Sequence, residues 1–293
     1  MRNVAKGAEG RRPGRFPRYA FAAVRASAAA SVLYTDRMIT HAAVCTVDEF
    51  RERLADVHAR IVTACTKAGR EPVSVRLLPV SKTVSEERLR AAYGAGCRVF
   101  GENKVQEAHR KWQAMSDLPD LHWSIIGHLQ TNKAKLVAGF ASEFQALDSL
   151  RVAAALDKHL QALGRSLDVL VQVNTSGEDS KFGLPPDDVE AFVQRLPVFS
   201  SLRVRGLMTL ALFSDDTERG RHCFVRLRQL RERLRQTAPD GIALDELSMG
   251  MSGDFELAIE EGATIVRVGQ AIFGARSTKA AASQADRAWH ETR

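Results

Sequence analysis

A lysine stands directly after a short apolar run of the chain, in the segment Pro79-Val80-Ser81-Lys82-Thr83. If the run is a buried strand, Lys82 lies at its mouth, where a low-dielectric wall favours the neutral, nucleophilic form of an amine. A surface lysine that extends its ammonium into water is the alternative for Lys82 taken alone. The segment therefore suggests chemistry on a carbonyl carbon, provided that other groups meet it.

Two glycine-rich segments near the end of the chain could bind an anion. They read Ser248-Met249-Gly250-Met251-Ser252-Gly253-Asp254 and Arg267-Val268-Gly269-Gln270-Ala271-Ile272-Phe273-Gly274. Glycines let backbone amides approach an anion and serines add hydroxyl donors, so both segments predict a phosphate cradle opposite Lys82. Ordinary loop geometry is the alternative for either segment alone. A phosphorylated carbonyl compound facing a lysine suggests a Schiff base, with pyridoxal phosphate or a sugar-phosphate aldehyde as occupant.

Apolar runs that alternate with helical patterns position these residues. Eight strand-then-helix units in roughly 200 residues predict an α/β fold, a single (β/α)8 barrel of the TIM type, with its site at the carboxyl ends of the strands. A capping box at Thr46-Val47-Asp48-Glu49 predicts an extra N-terminal helix over residues 47–68. The predicted strands are Val75–Val80, Arg98–Phe100, His122–Ile126, Phe144–Leu147, Asp168–Val173, Leu202–Thr209, Leu244–Ser248 and Thr264–Val268.

Charge and composition limit which domains and which binding partners the sequence predicts. Residues 1–38 hold eight basic and two acidic residues, so this head carries +6 of the net charge of +7. The near-neutral remainder argues against nucleic-acid binding, and no apolar stretch is long enough to predict a membrane span. We expect a basic, disordered extension over 1–45, the barrel over 46–276 and a tail over 277–293. Four alternatives are open for the extension. It is a flexible tail, a segment translated from a start codon upstream of a true start at Met38, a targeting peptide or a binding arm.

Four cysteines without a CxxC pair argue against a metal site or a disulfide framework and favour the cytoplasm.

Several motifs occur together and in a characteristic order. They are Val80-Ser81-Lys82-Thr83, Phe100-Gly101-Glu102-Asn103, Ile126-Gly127-His128-Leu129-Gln130-Thr131-Asn132-Lys133, Ser180-Lys181-Phe182-Gly183, Gly206-Leu207-Met208, Leu247-Ser248-Met249-Gly250-Met251-Ser252 and Val266-Arg267-Val268-Gly269. Over residues 47–276 the chain resembles the pyridoxal phosphate homeostasis protein family, whose single barrel is similar to the amino-terminal domain of alanine racemase. The resemblance implies that pyridoxal 5′-phosphate (PLP) is the cofactor, that Lys82 carries it as an aldimine, and that the protein maintains intracellular PLP without established turnover.

The remaining site residues follow from the resemblance and from their places at strand ends. Arg267 is expected to donate to the pyridine nitrogen, with an outward ion pair as the alternative. Asn103 and Asn174 either contact the ring oxygen or cap turns, and Met208 packs against the ring or in the core. At position 270 the family often has threonine, which puts a side-chain hydroxyl contact to phosphate in doubt. The predicted cradle residues are Ser248, Gly250, Ser252, Gly269 and Gln270.

Two residues keep open roles. Lys181 is either a solvated lysine or a second amine at the rim that accepts the aldehyde. His128 stands where the family often has proline and is not expected to act as a base.

Two functions other than that of a cofactor carrier would each need further groups in the chain. A racemase needs a second base on the opposite face, and two of the three tyrosines, Tyr19 and Tyr34, lie in the extension, which leaves Tyr93. An aldolase-type lyase using Lys82 alone lacks an evident proton-transfer partner. Apo-PLP enzymes are possible recipients, and a monomer or weak homodimer is expected.

Overall fold

A computed structural model describes residues 46–178, 181–211 and 217–274 of the chain. The predicted extension over 1–45 and the predicted tail over 277–293 lie outside the described residues. The described part contains the whole set of predicted strands.

Eight parallel strands form one sheet that curls into a barrel. Its order is β1-β8-β7-β6-β5-β4-β3-β2, and a bridge between Val80 and Gly101 joins the two end strands. The Ser81 amide also donates to the Gly101 carbonyl oxygen at 2.9 Å. The strands are β1 (Arg76–Pro79), β2 (Val99–Glu102), β3 (His122–Ile125), β4 (Glu143–Leu147), β5 (Leu167–Gln172), β6 (Leu202–Met208), β7 (Glu246–Ser248) and β8 (Ile265–Val268). The predicted (β/α)8 barrel is confirmed.

Helices cover the outside of the barrel and connect its strands. The α-helices are α1 (Val47–Lys67), α2 (Glu86–Gly94), α3 (Val105–Ala114), α4 (Ala134–Phe140), α5 (Leu150–Ala162), α6 (Val189–Gln194), α7 (Thr217–Thr237), α8 (Phe255–Glu260) and α9 (Gln270–Phe273). Short 3-10 turns lie at Pro72–Ser74, Thr131–Lys133, Pro186–Asp188 and Leu196–Val198. Among the described residues no helix is both long enough and apolar enough to cross a bilayer.

The extra helix α1 forms as its capping box predicts. The Thr46 hydroxyl accepts from the Glu49 amide, and the Glu49 carboxylate accepts from the Thr46 amide. Its buried side chains recur at helical spacing, and α1 packs against α8, α9 and α2. Phe50 meets Phe273 of α9 edge to face, with ring centroids 5.6 Å apart. Burying each such large apolar side chain contributes about 1.5–3 kcal/mol, so α1 is part of the core of the domain.

The barrel interior contains polar as well as apolar side chains. Leu78 fills the space beside Gly101, where a Cβ atom would lie 3.3 Å from the leucine side chain. Toward the amino-terminal mouth, Arg76 donates to Glu143 at 2.6 Å. The same carboxylate accepts from Ser124 and Gln145, each at 2.6 Å. Buried polar groups are costly unless they are paired, so this network holds β1, β3 and β4 in fixed relative positions.

Candidate functional site

Lys82 lies at the carboxyl mouth of the barrel, as predicted. It follows β1 in a turn and its side chain is half-buried. The next residue, Thr83, has a φ of +65°, which is unusual for a β-branched side chain. The turn that presents Lys82 is therefore sharply bent just beyond the lysine.

The two predicted cradle segments meet at the same mouth. The Ser252 hydroxyl, after β7, accepts from the amides of Gly269 at 3.2 Å and Gln270 at 3.1 Å, after β8. Two backbone N–H groups thus converge on one oxygen, that of Ser252, and a phosphate oxygen in its place would accept from the same two donors. The residues present fit an anionic group at this place.

The cradle adjoins Lys82 instead of facing it across the barrel. β8 pairs directly with β1, and a Cβ atom on Gly269 would lie 3.1 Å from the carbonyl oxygen of Val80. The expectation that the cradle lies opposite the lysine was wrong for this segment, because closure of the barrel makes the first and last strands neighbours. The amine and the cradle therefore occupy adjoining strand ends.

Gly250 has a structural reason to be glycine. Its φ is +88°, and a Cβ atom there would lie 2.6 Å from the Ala258 side chain and 2.9 Å from the backbone of Phe255. The segment after β7 can pack so closely on α8 only without a side chain at this position.

Arg267 points into the barrel from β8 and is only 3% exposed. It donates to the Ser248 hydroxyl and to the Thr209 carbonyl oxygen, both at 2.7 Å. Burial lowers the pKa of Arg267 to about 10, against the opposing pull of Asp254. The alternative of an outward ion pair was wrong, and the guanidinium is rigidly placed in the upper part of the barrel.

Ser248 is engaged inside the barrel, although it was predicted for the cradle. Its hydroxyl accepts from Arg267 and donates to the side-chain oxygen of Gln145 at 2.7 Å. Neither bond involves the Ser252 hydroxyl or the two amides that converge on it. The structure thus gives Ser248 a place beside Arg267, and a direct contact with phosphate stays a prediction.

The two predicted asparagines differ in their surroundings. The Asn174 amide donates to the carbonyl oxygen of Glu178, and its oxygen accepts from Ser176 and Gly177. Asn174 therefore organises the loop after β5, which is the turn-capping alternative. Asn103 is exposed at the end of β2, and a Cβ atom on Gly127 would lie 2.1 Å from its carbonyl oxygen.

Met208, Lys181 and His128 also lie near strand ends. Met208 ends β6 and is fully buried, so its core role is observed while ring contact stays a prediction. Lys181 pairs with Glu178 at 2.5 Å and donates to the Ala211 carbonyl oxygen at 3.0 Å. His128 stacks on Phe182, with ring centroids 4.0 Å apart, and lies 3.3 Å from Asp148.

The sequence interpretation missed several residues near the site. The Thr209 carbonyl oxygen accepts from Arg267, and Gln145 accepts from Ser248. A cluster of Glu102, Glu107 and Lys111 lies beneath the Lys82 turn. A Gln inside the otherwise apolar predicted run Phe144–Leu147 is the only signal that the sequence offered for Gln145. Within the described part of the chain no group of three His, Cys, Asp or Glu side chains could hold a metal ion.

Known proteins resemble this chain over most of its length. Residues 53–277 match the family described as alanine racemase, N-terminal domain. A pyridoxal phosphate homeostasis protein from Aquifex aeolicus is 43% identical over 225 residues, which are 77% of this chain and 97% of that protein. One from Pseudomonas aeruginosa is 43% identical over 232 residues, which are 79% of this chain and 98% of that protein.

A solved structure agrees with these relatives. PipY from Synechococcus elongatus, with PLP bound, is 38% identical and superposes with a TM-score of 0.69, covering 77% of this chain and 100% of PipY. The eight-stranded barrel agrees with these matches, and the chain belongs to the pyridoxal phosphate homeostasis protein family.

Proposed function

We propose that this protein binds PLP at the carboxyl mouth of its barrel, holds it covalently on Lys82, and serves PLP homeostasis without turnover of a substrate. The single observation that carries the proposal is the convergence of the Gly269 and Gln270 amides on one oxygen beside the strand that ends at Lys82. The relatives' names and the PLP-bound structure of PipY support the same reading.

The chain's own groups divide the binding work among three places. Bound there, PLP supplies an aldehyde whose carbon forms a C=N double bond with a primary amine and releases one water. Lys82 is the amine, the segments around Ser252 and Gly269 hold the phosphate, and Arg267 donates to the ring nitrogen. A buried cation at that nitrogen disfavours its protonation, which weakens electron withdrawal by the ring. This arrangement favours storage of the cofactor over carbanion chemistry.

A PLP-dependent racemase is the alternative function, and the place of Tyr93 argues against it. Racemisation needs a second acid/base group on the opposite face of the substrate carbon. Tyr93 donates to Asp120, which precedes β3, so this tyrosine lies toward the amino-terminal end of the barrel. Tyr19 and Tyr34 lie outside the described residues.

The partners, the oligomeric state and the compartment stay predictions. Apo-PLP enzymes as recipients and a monomer or weak homodimer follow from the resemblance and from the sequence. The cytoplasm is proposed from cysteine usage, and Cys65, Cys97 and Cys223 are buried free thiols.

Borohydride reduction followed by peptide mapping tests the proposal. PLP-treated protein should be yellow, and the reduced adduct should map to the peptide that contains Lys82. Lys82→Ala should be colourless and lack the adduct, whereas Lys158→Ala, which removes an exposed lysine of α5, should match the unmodified chain. An adduct on another lysine would refute the assignment. Interconversion of D- and L-alanine at enzyme-like rates would favour the racemase.

A further inference from the structure

The turn that carries Lys82 contains a disfavoured backbone conformation. Thr83 adopts a φ of +65° and is exposed, so no packing of its own side chain explains the conformation. A β-branched residue in the left-handed region persists only when its surroundings hold it there. The Val84 amide closes the turn on the Ser81 carbonyl oxygen at 3.0 Å, and a contact at Thr83 itself would hold the left-handed residue within it.

Glu107 supplies that contact from the first turn of α3. Its Oε1 accepts from the Thr83 amide at 2.8 Å and from Lys111 Nζ at 2.7 Å. Because the hydrogen bond is made by the backbone amide of Thr83 itself, it can form only when Thr83 has this backbone conformation. Glu107 thus joins the bend after Lys82 to a helix on the outside of the barrel.

Lys111 holds the residue on the other side of Lys82. Its Nζ donates to the Ser81 carbonyl oxygen at 2.8 Å and to Glu102 Oε1 at 2.7 Å, in addition to Glu107. An ammonium has three N–H donors, and all three are used. The Ser81 hydroxyl also donates to Glu102 Oε1 at 2.6 Å. Both neighbours of Lys82 in the chain are therefore bonded to one cluster.

Burying the charged groups of this cluster has an unfavourable desolvation free energy. The side chains of Lys111 and Glu102 are completely buried, and that of Glu107 is 18% exposed. Burial raises the pKa of Glu102, against the pull of Lys111. For Glu107, the bonds from Lys111 and Thr83 outweigh burial and lower the pKa. Buried ion clusters are often no more stabilising than apolar packing, so their use lies in the geometry that they impose.

We propose that Glu107, supported by Lys111 and Glu102, is a positioning residue that holds the left-handed Thr83 turn and thereby presents the Lys82 amine to the PLP aldehyde. The inference rests on the proposed function. It adds three residues that do not touch the cofactor but determine how readily the covalent link forms. A cluster that merely attached α3 to the barrel would instead act on stability alone.

Glycine at position 83 separates these two roles. Glu107→Ala removes the acceptor for the Thr83 amide, so the turn relaxes and formation of the link slows by roughly tenfold, the scale set by a disfavoured backbone conformation. Adding Thr83→Gly to Glu107→Ala should restore much of the rate, because glycine adopts a positive φ without steric cost. Glu107→Gln should retain the rate, since its amide oxygen can still accept from Thr83.

The experiment follows growth of the visible band on mixing PLP with the full chain, with reduced adduct checked by intact mass. In parallel, binding of pyridoxine 5′-phosphate, which carries an alcohol in place of the aldehyde, reports the pocket without the link. It should be unchanged in Glu107→Ala. The matched control is Asp117→Ala, which breaks the exposed ion pair between Arg90 of α2 and Asp117 in the turn after α3, and it should leave both readouts unchanged.

Thr83→Pro keeps the proposal testable if Glu107→Ala does not fold. Proline fixes φ near −65° and lacks the amide hydrogen, so it alters the exposed turn and leaves the buried cluster in place. The link should then form slowly, while pyridoxine 5′-phosphate still binds. An unchanged rate in Thr83→Pro or in folded Glu107→Ala overturns the inference and leaves the proposed function standing, as does failure of Thr83→Gly to restore the rate. Absence of any adduct in the unmodified chain overturns both.

Discussion

Arg267 on β8 donates a 2.7 Å hydrogen bond to the hydroxyl of Ser248 on β7, and this bond begins a chain of contacts across the barrel. Ser248 donates to Gln145, Gln145 to Glu143, and Arg76 donates to the other oxygen of that carboxylate. Every hydrogen bond is directed toward Glu143. The guanidinium at the site is thus connected through Ser248 to polar groups at the opposite end of the barrel, while its own bonds are to Ser248 and to the Thr209 carbonyl oxygen.

Ser248→Ala should disturb Arg267 without removing it. The guanidinium loses a buried acceptor, and an unsatisfied buried donor costs about 1–3 kcal/mol. If Arg267 contacts the ring nitrogen, the pH dependence of the visible band of bound PLP should also shift. Urea unfolding and a pH titration of the band measure the two effects.

Ser124→Ala is the matched control for Ser248→Ala. Ser124 is equally buried and donates to Glu143, but it does not contact Arg267. It should lower stability to a similar extent and leave the pH dependence of the band as it was. Equal spectral shifts in both variants would mean that Ser248 has no special relation to the ring.

Gly250→Ala should damage the segment that leads to the phosphate cradle. The new side chain would have to adopt a φ of +88° and would clash with Ala258 and Phe255, so we expect a loss of roughly 1–3 kcal/mol and weaker PLP binding. Gly253→Ala, in the same segment, has open space for a Cβ atom and should be tolerated. Thermal unfolding and PLP titration compare the two, and equal behaviour would contradict the assigned role of Gly250.

The strands of this fold could be predicted from the sequence because strands in a parallel barrel are covered on both faces and form continuous apolar runs. The prediction for β2 stopped at Phe100, whereas the strand continues to Glu102. A carboxylate there breaks the apolar pattern, yet it is buried because Lys111 bonds to it. That partner is nine positions away and on another element, so the pattern of the strand alone could not reveal it.

Site residues were predictable when their own residue type implies the chemistry. They were not predictable when their role depends on a hydrogen-bond partner that is distant in the sequence. Lys82 and the cradle glycines could be predicted from their residue types and from the few residues on either side of them. The bond from Ser248 to Gln145 joins residues 103 positions apart, so a single sequence held no information about it. Asn174 follows a strand, which is a position typical of ligand-binding residues in a barrel. Its side chain is instead hydrogen-bonded to Glu178 and Ser176 in the loop that follows.

Lys181→Ala tests whether the rim holds a second amine. Lys181 Nζ is held by Glu178 and by the Ala211 carbonyl oxygen, and an amine would have to leave this pairing before it could attack an aldehyde. We expect unchanged PLP uptake and release in Lys181→Ala, measured by the visible band and by transfer to an apo-enzyme. Slower uptake or release in this variant would instead support the second amine.

Glu246→Gln should stabilise the protein in a defined pH range. Burial raises the pKa of Glu246 to about 7, with Glu143 and Asp168 adding to the shift and Arg76 opposing it. A carboxyl with a raised folded pKa contributes stability that is complete below its unfolded pKa of 4.5 and lost as pH rises through about 7. The amide cannot ionise, so the gain in stability of Glu246→Gln over the unmodified chain should grow as pH rises from 4.5 to about 7 and be complete above that pH, at on the order of 3 kcal/mol. Urea unfolding at pH 5 and pH 8 measures the difference, with Asp245→Asn, an exposed neighbour, as the control; a gain that is the same at both pH values would show that ionisation of Glu246 is not its cause.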